Sequence, residues 1–368
     1  MRVLLAGGGS AGHVSPLLAL ADRLRADDPD TRVLALGTAE GLEARLVPAR
    51  GYDLHEVPRV PLPRTLDANA WRLPRRLTGA VNAARAAIDR VDAEVVVGFG
   101  GYVAAPAYLA ARRSGVPIVV HEQNARPGFA NRLGARLTRW VAVTFPGTPL
   151  PHAVRVGLPL RPEITGLDRQ AIRPQARTEF GLAPDHPTVL VFGGSLGAQR
   201  LNEMLPTVAV DLLARGVQVL HVCGDGKSVD LPPEVAGSPS YVVRPYVDRM
   251  DLAYAAADVV VCRSGANTVS EITALGLPAI YVPLPIGNGE QRLNADPVVE
   301  AGGGLLVADA QLSAEWLRAH LLPLLDEPAR AKRMGAAAAR FGITDADRRL
   351  ADLVRQAAAS RAGAGGGR

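Results

Sequence analysis

The stretch DVVVCRSGANTVSE, residues 258–271, joins a strand, a glycine turn and the start of a helix. Its apolar run Val259–Cys262 is typical of a strand that is buried on both faces of a parallel sheet. Ser264 and Gly265 interrupt this run, and the residues after them indicate the first turns of a helix. A helix that begins directly after a strand and a glycine turn can bind a phosphate through its free N–H groups. Glu271, within the first two turns, either accepts hydrogen bonds from a ribose diol or only complements the helix dipole.

Two other stretches repeat this order of strand, glycine loop and helix. They are Val3–Ala6 with the loop Gly7–His13 and a helix at Val14–Ala26, and Thr188–Phe192 with a loop at residues 193–197 and a helix from Ala198. Ser195 lies in the second of these loops, where its hydroxyl could donate to an anion. The alternative is a tight strand-to-helix turn that needs glycine and binds nothing.

The first loop contains the pattern G-x-G-x-x-G at Gly7, Gly9 and Gly12, which would suggest a dinucleotide site. That motif also requires an acidic residue at the end of the second strand, to hold the ribose. The second strand is predicted at Thr31–Leu36 and is followed by glycine and threonine, which disfavours a dehydrogenase. His13 at the helix start could cap or pack, but a helix N-terminus disfavours its protonated form and so keeps it available as a base.

The remaining elements keep an α/β rhythm, which predicts parallel, doubly wound sheets. Further strands are predicted at Val95–Gly98, Ile118–His121, Val217–Cys223, Tyr241–Val243 and Ala279–Val282. Polar loops follow several of them, at residues 99–102, 121–124 and 285–295. Because the carboxyl ends of parallel strands lie at one edge of a sheet, we expect these loops to form ligand sites. In the last loop Glu290, Gln291 and Asn294 are suited to sugar hydroxyls.

The proline-rich joint VGLPLRP, residues 156–162, indicates a domain boundary. We therefore predict a first domain at residues 1–161 and a second at 162–344, both Rossmann-like α/β and facing a cleft. A helix at about 345–358 is expected to pack back on the first domain, and residues 359–368 are expected to form a disordered tail.

Composition excludes several classes of protein. The two cysteines, Cys223 and Cys262, have no metal-ligand spacing, no Asp-x-Asp metal motif occurs, and Asp27-Asp28-Pro29-Asp30 is predicted to be a solvated turn. We expect neither a signal peptide nor a membrane span, because the first strand begins at once and no run of 18 apolar residues occurs. Aromatic residues make up only 4% of the chain, which disfavours nucleic-acid binding.

The first half of the chain is basic. Residues 1–160 carry 20 arginines against 13 acidic residues, a net charge of +7, whereas the rest carries 21 basic and 23 acidic residues. Within it, residues 57–90 mix apolar side chains such as Trp71 with Arg59, Arg64, Arg72, Arg75 and Arg76. This mixture suits docking on anionic lipid headgroups. It equally suits an amphipathic helix that covers the sheet and keeps its arginines in water.

Six motifs in order, spread over residues 2 to 355, resemble those of the MurG family. They are GGGSAGHVSP, FGGY, HEQN, FGGSLGAQRLN, CRSGANTVSE and EQRLNA. These bacterial enzymes transfer N-acetylglucosamine from UDP-N-acetylglucosamine to undecaprenyl-pyrophosphoryl-N-acetylmuramoyl-pentapeptide. The resemblance implies the two-domain GT-B fold, inversion at the sugar, no metal and no cofactor.

The resemblance also implies roles for individual residues. The candidate catalytic residues are His13, as general base, and Glu122. The implied donor-binding residues are Ser10, Gly12, Asn124, Arg161, Ser195, Tyr246, Val247, Arg263, Ala266, Thr268, Glu271, Glu290 and Gln291. The implied acceptor-binding residues are Gly9, Ser10, His13, Tyr102 and Asn124.

The chain departs from the family pattern in three places. The first loop reads GGGSAGH where GGTGGH is common, Asn267 replaces a usual apolar residue, and Glu290 replaces a usual glutamine. These differences bear on how the acceptor diphosphate and the sugar hydroxyls are held. The resemblance further implies a peripheral location on the cytoplasmic face of the cell membrane, an anionic membrane surface as partner and other cell-wall synthesis proteins as candidate partners. Two alternatives remain open: a UDP-N-acetylglucosamine 2-epimerase and a non-catalytic nucleotide-sugar-binding protein.

Overall fold

The computed structural model describes residues 1–60, 73–194 and 198–365. Ser195 and the segment that includes Arg64, Trp71 and Arg72 lie outside the described residues. The chain divides into two compact units. Unit 1 comprises residues 1–161 and the C-terminal segment from Thr344, and unit 2 comprises Pro162–Ile343.

Unit 1 is built on a sheet of seven parallel strands. The strands are β1 (Arg2–Gly7), β2 (Arg32–Gly37), β3 (Asp53–Glu56), β4 (Val95–Gly100), β5 (Ile118–Glu122), β6 (Trp140–Val143) and β7 (Ala153–Arg155), in the order β3-β2-β1-β4-β5-β6-β7. The helices of this unit are α1 (Ala11–Asp27), α2 (Glu43–Ala49), α3 (Leu73–Val91), α4 (Ala104–Arg113), α5 (Phe129–Ala135) and, at the end of the chain, α15 (Ala346–Gly365).

Successive residues of β1 face opposite layers of helices, as a strand period of two requires. Val3 and Leu5 pack in a core with α1 and with Leu350 and Val354 of α15. Leu4 and Ala6 pack in the opposite core, which contains side chains of α3 and α4. The sheet is therefore covered on both faces, which explains why its central strands are almost wholly apolar.

Unit 2 is built on a sheet of six parallel strands. The strands are β8 (Thr188–Phe192), β9 (Gln218–Val222), β10 (Tyr241–Arg244), β11 (Val259–Cys262), β12 (Ala279–Tyr281) and β13 (Gly304–Leu306), in the order β10-β9-β8-β11-β12-β13. Its helices are α6 (Pro162–Thr165), α7 (Arg169–Phe180), α8 (Gln199–Met204), α9 (Ala209–Ala214), α10 (Met250–Ala256), α11 (Ala266–Ala274), α12 (Glu290–Glu300), α13 (Ala314–Asp326) and α14 (Pro328–Phe341). The predicted pair of doubly wound α/β sheets is confirmed.

The last helix differs from its sequence-based expectation. It extends through Gly365 and so includes residues 359–365, which were predicted to belong to a disordered tail. The segment is rich in alanine, the strongest helix former, and Ala357 is fully buried against unit 1. The Arg361 guanidinium also donates to the Ala93 carbonyl at 2.7 Å, which holds the extra turns in place.

Helix α3 has the character of a covering helix in its described part. Ala80 is buried, and Val81, Ala84, Ala87 and Ile88 pack in the core of unit 1. Arg75, Arg76, Arg85 and Arg90 are exposed. The arginines therefore form a charged outer face.

Candidate functional site

Each sheet reverses its strand order at one point, and glycine loops follow the two strands there. In unit 1 the reversal lies between β1 and β4, and in unit 2 it lies between β8 and β11. Ligands of doubly wound sheets bind beyond the carboxyl ends of the strands at such a reversal. The three glycine loops singled out in the sequence follow β1, β8 and β11, and so each lies at the reversal point of its own sheet.

In unit 1 the loop after β1 holds His13 at the start of α1. Ser10 is the N-cap of α1, and its hydroxyl lies 2.9 Å from Nδ1 of His13. The Ser10 carbonyl accepts the N–H groups of His13 and Val14 at 3.1 and 3.2 Å. Burial lowers the pKa of His13, while a hydrogen bond with the Gly8 carbonyl and the charge of Glu43 oppose that shift. The lowered pKa keeps the imidazole neutral, as a general base must be.

The turn after β4 approaches this loop so closely that it requires glycine. Gly100 and Gly101 have φ angles of +97° and +77°. A Cβ on Gly100 would lie 3.0 Å from Nε2 of His13, and one on Gly101 would lie 2.4 Å from the Gly8 carbonyl oxygen. The motif FGGY therefore shapes the surroundings of His13, and Tyr102 follows with a partly exposed ring under the Arg59 guanidinium, 4.9 Å from the ring centroid.

Glu122 ends β5 as a buried carboxylate with several donors around it. It accepts the N–H groups of Asn124 and Gly128 at 2.9 and 3.0 Å, and Nδ2 of Asn131 at 3.0 Å. Burial raises the pKa of Glu122, and these hydrogen bonds act against the rise. Asn131 in turn accepts from the hydroxyl of the buried Tyr108 at 2.7 Å. The motif HEQN thus organises the start of α5, and Asn124 lies beside it.

A carboxylate that the sequence analysis missed lies beneath the first loop. Glu43 of α2 accepts the Gly9 N–H at 2.9 Å and the N–H and hydroxyl of Thr38, both at 2.9 Å. The Gly9 N–H is therefore committed to Glu43 and is not available to the phosphates of an acceptor. No acidic residue stands at the end of β2, where a dinucleotide-binding motif would require one. Glu43 lies five residues after Thr38 in the sequence. Its contact with Gly9 spans 34 residues of sequence, which no local motif reveals.

In unit 2, α11 begins directly after β11. Gly265 is its N-cap and has no side chain, and among the described residues no side chain caps the helix. The N–H groups of the first turn, from Ala266 to Thr268, are thus available for an anion. The neighbouring loop after β8 includes Ser195, which lies outside the described residues.

Glu271 is half-buried in the second turn of α11 and is held by another residue that the sequence analysis missed. The hydroxyl of Tyr254 donates to Oε2 of Glu271 at 2.8 Å, and the Tyr254 ring is buried. A carboxylate fixed in this way is well placed to accept from a diol, because its orientation is set before the ligand arrives.

Residues of the EQRLNA motif form hydrogen bonds with the backbone of the turn after β11. The Oε1 atom of Gln291 accepts the Ser264 and Leu284 N–H groups at 3.2 and 3.0 Å. Asn294 is fully buried and donates to the Ser264 carbonyl at 3.3 Å. A direct role for Asn294 with sugar hydroxyls is therefore not supported, whereas Glu290, at the exposed start of α12, exchanges hydrogen bonds with Asn288.

The other implied donor residues have different surroundings. Arg263 is buried, donates to the Val282 and Pro283 carbonyls and pairs with Asp309 at 2.5 Å. Tyr246 is 56% exposed after β10, and Val247 beside it is half-buried. Arg161 is half-buried at the end of the first part of unit 1. Arg263 therefore supports the turn after β11, while Tyr246 offers a free aromatic face.

Within residues 1–60, 73–194 and 198–365, no group of three histidine, cysteine or acidic side chains could hold a metal ion. Over the same ranges, no helix is long and apolar enough to cross a membrane.

The fold and the paired glycine loops define a GT-B glycosyltransferase. Family models match both halves of the chain: the glycosyltransferase family 28 N-terminal domain over residues 3–143 and its C-terminal domain over residues 188–350. The chain belongs to glycosyltransferase family 28.

Relatives that match nearly the whole chain indicate its position within this family. A protein of Streptomyces avermitilis is 56% identical over 361 residues, covering 98% of this chain and 99% of the relative. A protein of Thermobifida fusca is 57% identical over 355 residues, covering 96% and 93%. Both carry the name UDP-N-acetylglucosamine–N-acetylmuramyl-(pentapeptide) pyrophosphoryl-undecaprenol N-acetylglucosamine transferase.

Solved structures share the fold. The crystal structure of Acinetobacter baumannii MurG superposes with a TM-score of 0.76 at 29% identity, covering 96% of this chain and 99% of that one. A UDP-N-acetylglucosamine 2-epimerase of Neisseria meningitidis superposes with a TM-score of 0.69 at 12% identity, covering 97% and 100%, which shows the fold alone.

Proposed function

We propose that the protein transfers N-acetylglucosamine from UDP-N-acetylglucosamine to the 4-hydroxyl of undecaprenyl-pyrophosphoryl-N-acetylmuramoyl-pentapeptide. This step completes the lipid-linked precursor of peptidoglycan. The observation that carries the proposal is the 56% identity, over 98% of the chain, to a protein that is named as the transferase for this reaction. The glycine loops after β1 and β11, each at the reversal point of its own sheet, are suited to bind the diphosphate groups of the acceptor and the donor.

Unit 2 binds the donor in this proposal. Glu271, oriented by Tyr254, accepts the ribose hydroxyls. The open N-terminus of α11 faces the diphosphate, with Ser195 donating from the loop after β8, and Tyr246 lies against the uracil ring. When the bond from the anomeric carbon to the phosphate oxygen breaks, the helix N-terminus stabilises the charge that develops on UDP. Glu290 and the amide of Gln291 contact the sugar.

Unit 1 binds the acceptor, and His13 is its base. As the acceptor 4-hydroxyl attacks the anomeric carbon from the side opposite UDP, its proton passes to the neutral imidazole. The low pKa that burial gives His13 keeps the imidazole unprotonated at neutral pH. Attack from the opposite side inverts the configuration at that carbon.

Glu122 has a positioning role rather than that of the base. Its two oxygens accept hydrogen bonds from Asn124, Gly128 and Asn131. Burial raises its pKa, but these donors already occupy lone pairs that a base would need for the proton of the acceptor hydroxyl. It instead holds Asn124 and the start of α5 beside the acceptor.

The acceptor of the relatives is linked to undecaprenol, so we place the enzyme peripherally on the cytoplasmic face of the cell membrane. The exposed arginines of α3 supply attraction to anionic headgroups. Residues 61–72, next to them in sequence, supply further arginines and apolar side chains.

The test compares UDP-N-acetylglucosamine turnover with and without a lipid-linked muramoyl-pentapeptide. We expect UDP release only when the acceptor is present. Conversion of UDP-N-acetylglucosamine to its C2 epimer in the absence of acceptor, with UDP still attached to the sugar, would instead identify a 2-epimerase. Binding of UDP-N-acetylglucosamine with no turnover in either condition would identify a nucleotide-sugar-binding protein.

A further inference from the structure

Glu43 is a buried carboxylate to which neither the sequence motifs nor the proposed mechanism gives a role. It is 1% exposed, although an ionised carboxylate is rarely buried without a purpose or a partner. Burial alone would raise the pKa of Glu43, but the hydrogen bonds from Gly9 and Thr38 hold it below its usual value. Glu43 is therefore negatively charged beneath the loop that bears His13.

Three glycines from separate segments make room for this side chain. A Cβ at Gly8, Gly37 or Gly41 would lie 2.4, 2.3 or 2.2 Å from an atom of Glu43. None of these glycines has a positive φ angle, so backbone strain does not explain them. The first loop, the end of β2 and the loop before α2 are all shaped around one carboxylate.

A short chain of contacts links this carboxylate to the base. Glu43 accepts from Gly9, and the next residue, Ser10, contacts Nδ1 of His13 with its hydroxyl at 2.9 Å. On the side of β4, a Cβ on Gly100 would lie 3.0 Å from Nε2 of His13 and 3.4 Å from Nδ2 of Asn131, and Asn131 donates to the carboxylate of Glu122. Of the two carboxylates, Glu43 is the one whose charge raises the pKa of His13.

We propose that Glu43 is a positioning residue for His13: it fixes the Gly9-Ser10 backbone, and its charge stabilises the imidazolium that forms when His13 takes the acceptor proton. This inference rests on the proposed function, in which the acceptor O–H bond breaks and its proton moves to the imidazole. The arrangement follows the general logic of a base oriented and charge-balanced by a third group.

The test is the substitution Glu43→Gln, which keeps the volume and removes the charge. We expect the pKa of the His13 imidazole, followed by NMR in the full chain and assigned with His13→Ala, to fall by about 0.5–1 unit. The acidic limb of the pH profile of kcat/KM should move down by the same amount. We also expect kcat to fall about 10–100-fold, because the base is weaker and less well placed. The KM for UDP-N-acetylglucosamine should stay unchanged.

The matched control is Thr38→Val, which removes one hydrogen bond to Glu43 and keeps the charge. It should lower thermal stability slightly and leave the pKa of His13 and the pH profile in place. If Glu43→Gln does not fold, Glu43→Asp replaces it. The side chain of aspartate is one methylene shorter, so its charge lies farther from the imidazole, and we expect a smaller fall in the pKa of His13. An unchanged pKa of His13 in the folded Glu43 variant would overturn the inference. Full activity of His13→Ala would instead overturn the proposed base, which the NMR titration does not depend on.

Discussion

At the scale of single residues, the functional groups of this protein are held by partners far away in sequence. Tyr254 orients Glu271 from α10, and Glu43 anchors Gly9 across 34 residues. The sequence motifs identified His13 and Glu271 because each follows a strand and a glycine turn. They could not identify Tyr254 or Glu43, since the contacts of these two side chains arise only when separate elements pack together.

The first prediction concerns His13. His13→Ala should lower kcat about 10²–10⁴-fold, because the acceptor proton then has no positioned base. The affinity for UDP, measured by isothermal titration calorimetry, should remain near the parental value because the residues proposed to hold uracil and ribose, Tyr246 and Glu271, lie in unit 2. Parental turnover of this variant at saturating acceptor would rule out His13 as the base.

The second prediction concerns Glu271 and its partner. Glu271→Ala should weaken UDP binding by about 1–3 kcal/mol, because the ribose hydroxyls lose their acceptor. Glu271→Gln should weaken it less, since the amide oxygen still accepts. Tyr254→Phe keeps the buried ring and removes only the hydroxyl that orients Glu271, so its effect should fall between those of parent and alanine variant. Calorimetry gives all four affinities, and unchanged binding by Glu271→Ala would contradict the ribose role.

At the scale of secondary-structure elements, predictability followed burial only in part, because the interior strand β6, WVAV, is largely buried and was still not predicted. Strands β1, β4 and β11 are continuous apolar runs that are buried on both faces, and the sequence predicted them. The edge strands β3 and β7, with the sequences DLHE and AVR, are half-buried or exposed and carry polar residues. An edge strand has no neighbouring strand along one side of its backbone, so water reaches it and polar residues make its sequence resemble a loop.

The third prediction concerns the exposed arginines of helix α3 and their binding to membranes. Replacing both Arg75 and Arg76 with Ser should weaken binding to anionic vesicles, because each arginine near such a surface contributes about 1 kcal/mol. The effect should shrink at high salt. Arg112→Ser with Arg113→Ser, on α4, removes two other exposed arginines and serves as the control. Vesicle sedimentation measures both, and equal losses would show that only net charge matters, not the face of α3.

At the scale of the whole molecule, each unit contains a buried neutral histidine in its sheet. His121 in β5 donates from Nε2 to the Gly157 carbonyl, and His221 in β9 lies between Tyr241 and Asn202. Burial lowers the pKa of each to about 4. An unfolded chain with a histidine pKa near 6.5 binds more protons than the folded one between about pH 6.5 and 4, so stability falls as the pH falls through this window.

The fourth prediction follows from this difference. Between pH 7 and pH 5 each of the two histidines should cost about 2 kcal/mol of unfolding free energy. Denaturant unfolding of His221→Gln should show a smaller loss over this range than the parent. His152→Asn changes an exposed histidine with a φ of +58°, which asparagine tolerates, and should keep the parental dependence. A His221→Gln variant as sensitive to pH as the parent would contradict the assignment.

The measurement that tests the central claim most directly is the product formed from labelled UDP-N-acetylglucosamine and a lipid-linked N-acetylmuramoyl-pentapeptide. Mass spectrometry should find the acceptor enlarged by one N-acetylglucosamine residue, and NMR of the product should show the β-linkage to the 4-position that inversion of the α-linked donor produces. The Glu271→Ala variant should form the same product more slowly at limiting donor. An acceptor that remains unmodified while UDP is released, or a product with the α-linkage, would contradict the account.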